Sequence, residues 1–107
     1  MNIILSPQRR DQSLVVLKSG SVLTVNGEEF DFSPIADGDT LPASAIDSEW
    51  FFDKVENING ELELTLILPI PENFSPEQAF PLPLLDVADG PVAFPKPLPE
   101  PVEELQQ

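Results

Sequence analysis

The residue types that carry most enzymatic chemistry are scarce in this 107-residue sequence. It has no His, Cys or Tyr, and it sets 5 Lys and Arg against 19 Asp and Glu. Nucleophilic catalysis would therefore need a Ser or Thr activated by a Lys or a carboxylate base. Lys18 and Lys54 are the two Lys outside the C-terminal third, and both occupy strand positions suited to solvent. Paired carboxylates could serve a glycosidase, but in so acidic a chain some pairs lie close by chance. The sequence predicts no catalytic residue and a protein that is not an enzyme.

Two acidic turns resemble metal-binding loops. Asp37 and Asp39 flank a glycine, and Asp86 and Asp89 precede another. Neither turn has the further oxygen ligands at fixed spacing, or the closing Glu, of an EF-hand loop. Asp-Gly is first of all a turn signal. We therefore expect turns here and no metal or other cofactor, with an ion at Asp37/Asp39 or Asp86/Asp89 as the open alternative.

The charge balance limits the classes of partner. The net charge is −14, divided as −8 in residues 1–68 and −6 in residues 69–107. Nucleic acid and anionic membranes would repel such a chain, whereas a basic protein surface would attract it. The most apolar run, Leu62–Ile70, is too short to span a bilayer and contains Glu63 and Pro69. The first residues lack the basic and apolar regions of a signal peptide, so we expect synthesis in the cytoplasm.

Two Asn-Gly pairs divide the first part of the chain into hairpins. Asn26-Gly27 and Asn59-Gly60 each lie between alternating apolar segments, which is the strongest short-range hairpin signal. Ser13–Lys18 adds a third strand before the first pair, and Ile3–Leu5 is a short strand ended by Ser6-Pro7. The predicted fold class is all-β: a small antiparallel hairpin and meander module, sandwich-like or an open barrel, over residues 1–68.

The period-2 pattern assigns side chains to the two faces of each hairpin. In the second hairpin it sets Val55 opposite Leu64 and Phe51 opposite Leu68. In the meander the opposite face carries Val15, Leu17 and Val22, so we expect something to cover it. One face of the meander should be core, and it carries Leu14, Val16, Leu23, Val25, Phe30 and Phe32.

Residues 69–107 form a proline-rich, extended C-terminal tail. They contain 10 of the 13 prolines, which cannot join a helix interior or a central strand. Ser75–Gln78 has the N-cap Ser, N1 Pro and N3 Gln of a short capped helix, and Val102–Gln107 could add a helical turn. The tail has more leucine and phenylalanine than a solvated spacer needs. We therefore predict a docking tail that is buried along a groove of this protein or of a partner.

The candidate partner-binding residues are of three kinds. Two arginines in a turn could clamp a carboxylate, and an aromatic pair projects from the hairpin face that is otherwise polar. A chain this small without disulfides is marginally stable alone, so assembly with itself or a partner is favoured. The candidates are Arg9, Arg10, Trp50, Phe52, Phe80, Leu82, Leu84, Leu85, Phe94 and Leu98.

Five stretches in a fixed order resemble a family of small acidic proteins of tailed bacteriophages and prophages. They are IILSPQRRD, SVLTVNGEEFDFSP, LPASAI, VENINGELELTLILP and DGPVAFP. Genes of that family usually lie among those for tail tips and tail fibres. The resemblance implies no catalytic or ligand-binding residues.

The resemblance implies a structural adaptor of a tail tip or baseplate that docks a receptor-binding or tail-fibre protein. Its partners would be phage tail or fibre proteins and itself as an oligomer, without nucleic acid or membrane insertion. Its location would be the virion tail after synthesis in the host cytoplasm. Two alternatives stay open: a fibre-assembly chaperone that is absent from the finished particle, and an acidic DNA mimic that inhibits a DNA-binding protein.

We predict that the protein does not bind nucleic acid. A chain at −14 with one arginine pair releases too few counterions to hold DNA. Electrophoretic mobility shifts at low salt, where such binding is strongest, should show free DNA at every protein concentration. A shifted band that weakens steeply with added salt would contradict this prediction.

Overall fold

The computed structural model describes residues 1–98, and these form two four-stranded β-sheets. Chain order gives β1 (Asn2–Arg9), β2 (Val16–Ser19), β3 (Val22–Val25), β4 (Glu28–Asp31), β5 (Thr40–Pro42), β6 (Phe51–Ile58), β7 (Glu61–Ile70) and β8 (Gly90–Pro91). Sheet A has the order β1-β7-β6-β5, and sheet B has the order β4-β3-β2-β8. A 3₁₀ turn at Ala43–Ala45 and helix α1 at Pro76–Ala79 complete the elements. The predicted all-β class is confirmed.

Both Asn-Gly pairs close tight hairpins. Asn26 and Gly27 have φ of 49° and 87°, and Asn59 and Gly60 have φ of 54° and 84°. Positive φ at both central residues is the geometry of a type I′ turn, whose twist matches that of the flanking strands. These turns join β3 to β4 and β6 to β7 in the antiparallel registers of the two sheets.

The two sheets pack face to face around one apolar core. Phe51 of sheet A contacts Phe30 and Phe32 of sheet B edge-on, with ring centroids 5.0 and 5.6 Å apart. The six side chains predicted for the core face of the meander are all buried or packed against the core. On the opposite face, Val15 and Leu17 are exposed within the described chain. The expected core face is confirmed, and on the other face residues 1–98 leave Val15 and Leu17 uncovered while Val22 is half-buried.

A β-bulge in β6 changes the predicted register of the second hairpin. Val55 pairs with Leu64 as expected, but Phe51 pairs with Leu66 rather than Leu68. The register shifts between Phe52 and Val55, where Asp53 has a φ of 68°. Strict alternation would also turn Asp53 to the core face, whereas the bulge keeps Phe51 and Val55 buried and leaves Asp53 exposed.

The first strand is longer than predicted, and so is the seventh. Pro7 does not end β1, which runs to Arg9 in parallel with β7. Proline is tolerated because β1 is an edge strand of sheet A. Likewise β7 continues through Pro69 to Ile70. The pairing of β7 with β6 stops at Leu66, opposite Phe51, so β1 is the strand that pairs with β7 at Pro69 and Ile70. The boundary predicted after Leu68 therefore falls inside a strand.

The second strand begins later than predicted, because the Asn26 side chain forms hydrogen bonds with the backbone of Ser13 and Val15. Residues 13–15 precede β2, which spans Val16–Ser19. Asn26 Oδ1 accepts a hydrogen bond from the Val15 N–H at 2.7 Å, and Asn26 Nδ2 donates to the Ser13 carbonyl at 3.0 Å. The amide of the turn residue thus replaces part of the backbone ladder.

Residues 84–92, here called the closing segment, connect the edges of the two sheets. Leu84 exchanges two backbone hydrogen bonds of 2.8 Å with Ile3 at the outer edge of β1. Six residues later, β8 pairs with β2, and the Val92 N–H donates to the Val16 carbonyl at 2.9 Å. The chain therefore closes one side of the sandwich with its own C-terminal part.

The helix predicted at Ser75–Gln78 is present. The Ser75 hydroxyl accepts from the Gln78 N–H at 3.2 Å, and the Gln78 side chain accepts from the Ser75 N–H at 3.2 Å. Pro76 occupies the first turn, completing a capping box. No helix within residues 1–98 is long and apolar enough to cross a membrane. The turn predicted at Val102–Gln107 lies outside the described residues.

The second turn gives a test of the fold. Gly60→Val should lower the free energy of unfolding by about 1 kcal/mol or more, because a β-branched residue is forced to positive φ. A Cβ at Gly60 would meet no atom within 4 Å, so the loss reports backbone strain rather than a clash. Thr65→Val in β7 should be nearly neutral, since valine suits a strand. Equal denaturant midpoints for the two variants would contradict a type I′ turn.

Candidate functional site

Both arginines predicted to clamp a partner are held by side chains of the same molecule. Arg10 Nη1 donates to Glu49 Oε1 at 2.8 Å, and its Nε donates to Gln8 Oε1 at 3.1 Å. Arg9 Nη1 donates to Asp11 Oδ1 at 2.9 Å. A partner carboxylate would therefore have to compete with these intramolecular bonds.

Arg10 also covers one member of the predicted aromatic pair. Its guanidinium carbon lies 5.1 Å from the Trp50 ring centroid, within the range of a cation–π contact. Trp50 is 7% exposed, whereas Phe52 is 51% exposed. The accessible part of the predicted pair is therefore Phe52, and Trp50 belongs to the core cluster.

Phe52 lies in a row of apolar side chains on the outer face of sheet A. The strand registers pair Phe52 with Thr65 and Thr65 with Ile4, so the three side chains are neighbours on one face. Leu84 lies opposite the inward-facing Ile3. Alternation along the tail therefore places residues 83 and 85 on the face that carries Ile4. We call Leu85, Pro83, Ile4, Thr65 and Phe52 the apolar row.

The apolar row is accessible to solvent. Leu85 is 67% exposed and Ile4 is 39% exposed, while Pro83 is exposed and Thr65 is half-buried. These side chains come from the tail, β1, β7 and β6, so the row crosses four segments of the chain. Exposed apolar side chains that are grouped on one sheet face are candidates for a contact site with another protein.

The remaining tail candidates divide into covered and exposed side chains. Leu84 and Phe94 are half-buried against the core. Phe80 and Leu82 are more than four-fifths exposed, and Leu98 is half exposed. The Leu98 N–H donates to the Asn73 carbonyl at 3.1 Å, which ties the end of the described chain to the segment before α1. The tail thus packs on the module with some apolar side chains and presents the others to solvent.

The two acidic turns carry structural hydrogen bonds. Asp39 Oδ2 accepts from the Ala36 N–H at 3.2 Å, which stabilises a turn. Asp89 Oδ1 accepts from Lys18 Nζ at 2.7 Å and from the Gly20 N–H at 3.0 Å. In residues 1–98 no group of three or more His, Cys, Asp or Glu side chains could hold a metal ion.

Lys18 and Asp89 join the closing segment to β2. The hydrogen bond from Lys18 lowers the pKa of Asp89 below its ordinary value, and the hydrogen bond from the Gly20 N–H and the charge of Lys18 lower it further. Stability from this contact is therefore present above the ordinary carboxyl pKa and is lost as the pH falls through the lowered value.

A cleft of 670 Å³ opens on the side of the sandwich away from the closing segment, between β4 and β5. Its apolar lining includes Phe30, Ile35, Leu41 and Ile46. Hydrogen bonds from the Ser33 backbone and side chain lower the pKa of Asp31 below its ordinary value. The cleft also has five carboxylates among its lining residues: Glu28, Glu29, Asp31, Asp39 and Asp47.

Sequence reasoning did not single out the cleft. Its lining comes from β4, from the connection before β5 and from the residues around the 3₁₀ turn, which were assigned to turns and a polar strand face. The available signal was the density of acids in residues 28–47, interrupted by isolated apolar residues.

Comparison with known proteins identifies no relative. No family model matches the chain, and neither a curated protein nor a solved structure matches it significantly.

The Lys18–Asp89 contact gives a pH-dependent prediction. In a double-mutant cycle of Lys18→Met and Asp89→Asn, the coupling free energy should be favourable at about pH 7 and should decrease as the pH falls through the lowered pKa of Asp89, for which about pH 2 is the second condition. Denaturant unfolding of the parent and the three variants at each pH measures it. A coupling that is the same at both pH values would show that the carboxylate charge contributes nothing.

Proposed function

We propose that this protein is a structural adaptor of a bacteriophage tail tip or baseplate, and that it docks a receptor-binding or tail-fibre protein through the apolar row. The phage assignment rests on the sequence resemblance in residues 3–95. The docking assignment rests on the exposure of Phe52, Ile4 and Leu85 on one sheet face.

The apolar row favours a docking role because its exposure has an energetic cost. Burial of apolar surface contributes about 25 cal/mol per Å², so a partner that covers these side chains gains stability. The row is also held rigidly, because three of its members lie in paired strands and the tail is hydrogen-bonded at Leu84. A preformed surface loses little conformational entropy on binding.

The position of Arg10 gives the proposed surface a polar margin. Ser6 pairs with Ile67 next to the Ile4–Thr65 pair, and the Ile67 N–H donates to the Trp50 carbonyl at 2.8 Å. Arg10 lies over the Trp50 ring at this end. An apolar centre with a polar margin is typical of protein interfaces, in which arginine is enriched.

The test is incorporation into particles. In particles from the phage that encodes this chain, the protein should be detected by quantitative mass spectrometry. The Phe52→Ser/Leu85→Ser variant should reduce the bound copies about tenfold or more, because large side chains at the centre of an interface carry most of its affinity.

The matched control changes two exposed apolar residues on sheet B. Val15→Ser/Leu17→Ser removes a similar exposed surface and should leave incorporation at the parental level. Thermal unfolding of each purified variant establishes that it is folded before particles are compared. Absence of the parent protein from particles would overturn the adaptor role, and its recovery with intracellular fibre protein would then indicate the assembly chaperone. Loss of incorporation in the control alone would assign docking to sheet B.

A further inference from the structure

The two open sides of the sandwich differ in whether another segment of the chain pairs with their edge strands. On one side the closing segment pairs with β1 of sheet A and β2 of sheet B. On the other side β4 and β5 are the edges, and within residues 1–98 no strand pairs with the outer side of either. The cleft of 670 Å³ lies between these two edges.

The outer edge of β4 presents backbone groups that a further strand could use. Leu23 pairs with Phe30, and the Phe32 N–H donates to the Ser21 carbonyl at 2.9 Å. In an antiparallel ladder the residues between such pairs direct their N–H and C=O away from the partner strand. Glu29 and Asp31 are these residues, so their backbone groups face outward along the edge.

The charge of the cleft is uncompensated. Within the described chain, none of its five carboxylates lies within ion-pair distance of a Lys or Arg side chain. Several carboxylates around an apolar floor attract a segment that carries positive charge and also places apolar side chains in the floor.

We propose that the β4–β5 cleft binds an extended segment of another protein that alternates Lys or Arg with apolar residues and adds to β4 as a strand. Its apolar side chains would contact the floor around Phe30 and Leu41, and its basic side chains would meet the carboxylate rim. The site is separate from the apolar row and does not depend on the proposed adaptor role. The closing segment shows the same mode of binding on the other side, with backbone pairing and apolar side chains such as Leu84 and Val92 turned to the core.

Other occupants fit the cleft less well. The described carboxylates form no group that could hold a metal ion. A second copy of the chain carries a net charge of −14 and would be repelled. The chain's own residues 99–107 contain three Glu and no Lys or Arg, so the rim would repel them too. Nucleic acid is excluded by the same sign of charge.

The test uses peptides of matched length and opposite charge. A fluorescein-labelled Lys-Val-Lys-Ile-Lys-Val peptide should bind the full chain in fluorescence anisotropy at least about tenfold more tightly than Glu-Val-Glu-Ile-Glu-Val. Its affinity should fall as salt is added, since the rim is open to solvent. Equal binding of the two peptides, or no binding of the Lys peptide, would overturn the proposal.

Two further measurements locate the bound peptide. Glu29→Lys should weaken binding about fivefold or more, while the same charge change at the exposed Glu72, which does not line the cleft, should have a smaller effect. Hydrogen exchange should show new protection at the Glu29 and Asp31 amides on binding, because strand addition uses those N–H groups. Equal losses of peptide affinity in Glu29→Lys and Glu72→Lys would show that the affinity depends only on the net charge of the protein. Unchanged exchange at both amides would exclude addition to β4.

Discussion

Unpaired backbone groups at the edges of the two sheets are the constraint on which this structure depends. A sandwich of two open sheets has four edges, and each presents N–H and C=O groups that water or another strand must satisfy. Here the closing segment pairs with one edge of each sheet on the same side of the sandwich. The tail therefore has a structural role in residues 84–92, in addition to presenting the side chains of Leu82 and Leu85 to solvent.

The features that sequence predicted correctly are those with local signals. Asn26-Gly27 and Asn59-Gly60 set the hairpins because their conformational preference depends on two adjacent residues. The capping box at Ser75 is likewise local. Pairing of β1 with β7 joins segments some sixty residues apart, as the partners Asn2 and Glu63 show, and leaves no periodic signal in either. The register error at Phe51 has a different cause, since a bulge at Asp53 interrupts alternation that the pattern assumes to be continuous.

In the candidate site too, sequence predicts the features that depend on adjacent residues and misses those that depend on segments far apart in the chain. Alternation predicted that Trp50 and Phe52 share a face of the second hairpin. It could not predict that Arg10, which directly follows β1, lies over the Trp50 ring, or that Phe52 remains exposed. The apolar row could not be read from sequence because its members come from four segments. In each case the accessibility of a side chain depends on a neighbour brought there by tertiary structure.

The distribution of positive charge explains why the two sides of the sandwich differ chemically. Arg9, Arg10, Lys18 and Lys54 each contact an acid outside the β4–β5 cleft. Lys18 holds the closing segment through Asp89, so a cation is used where the chain binds its own tail. The carboxylates at β4 and β5 have no such partner within the described residues. On one side of the sandwich, the closing segment therefore pairs with the sheet edges. On the other side, the edges of β4 and β5 are unpaired within the described residues, and the carboxylates beside them favour a basic strand.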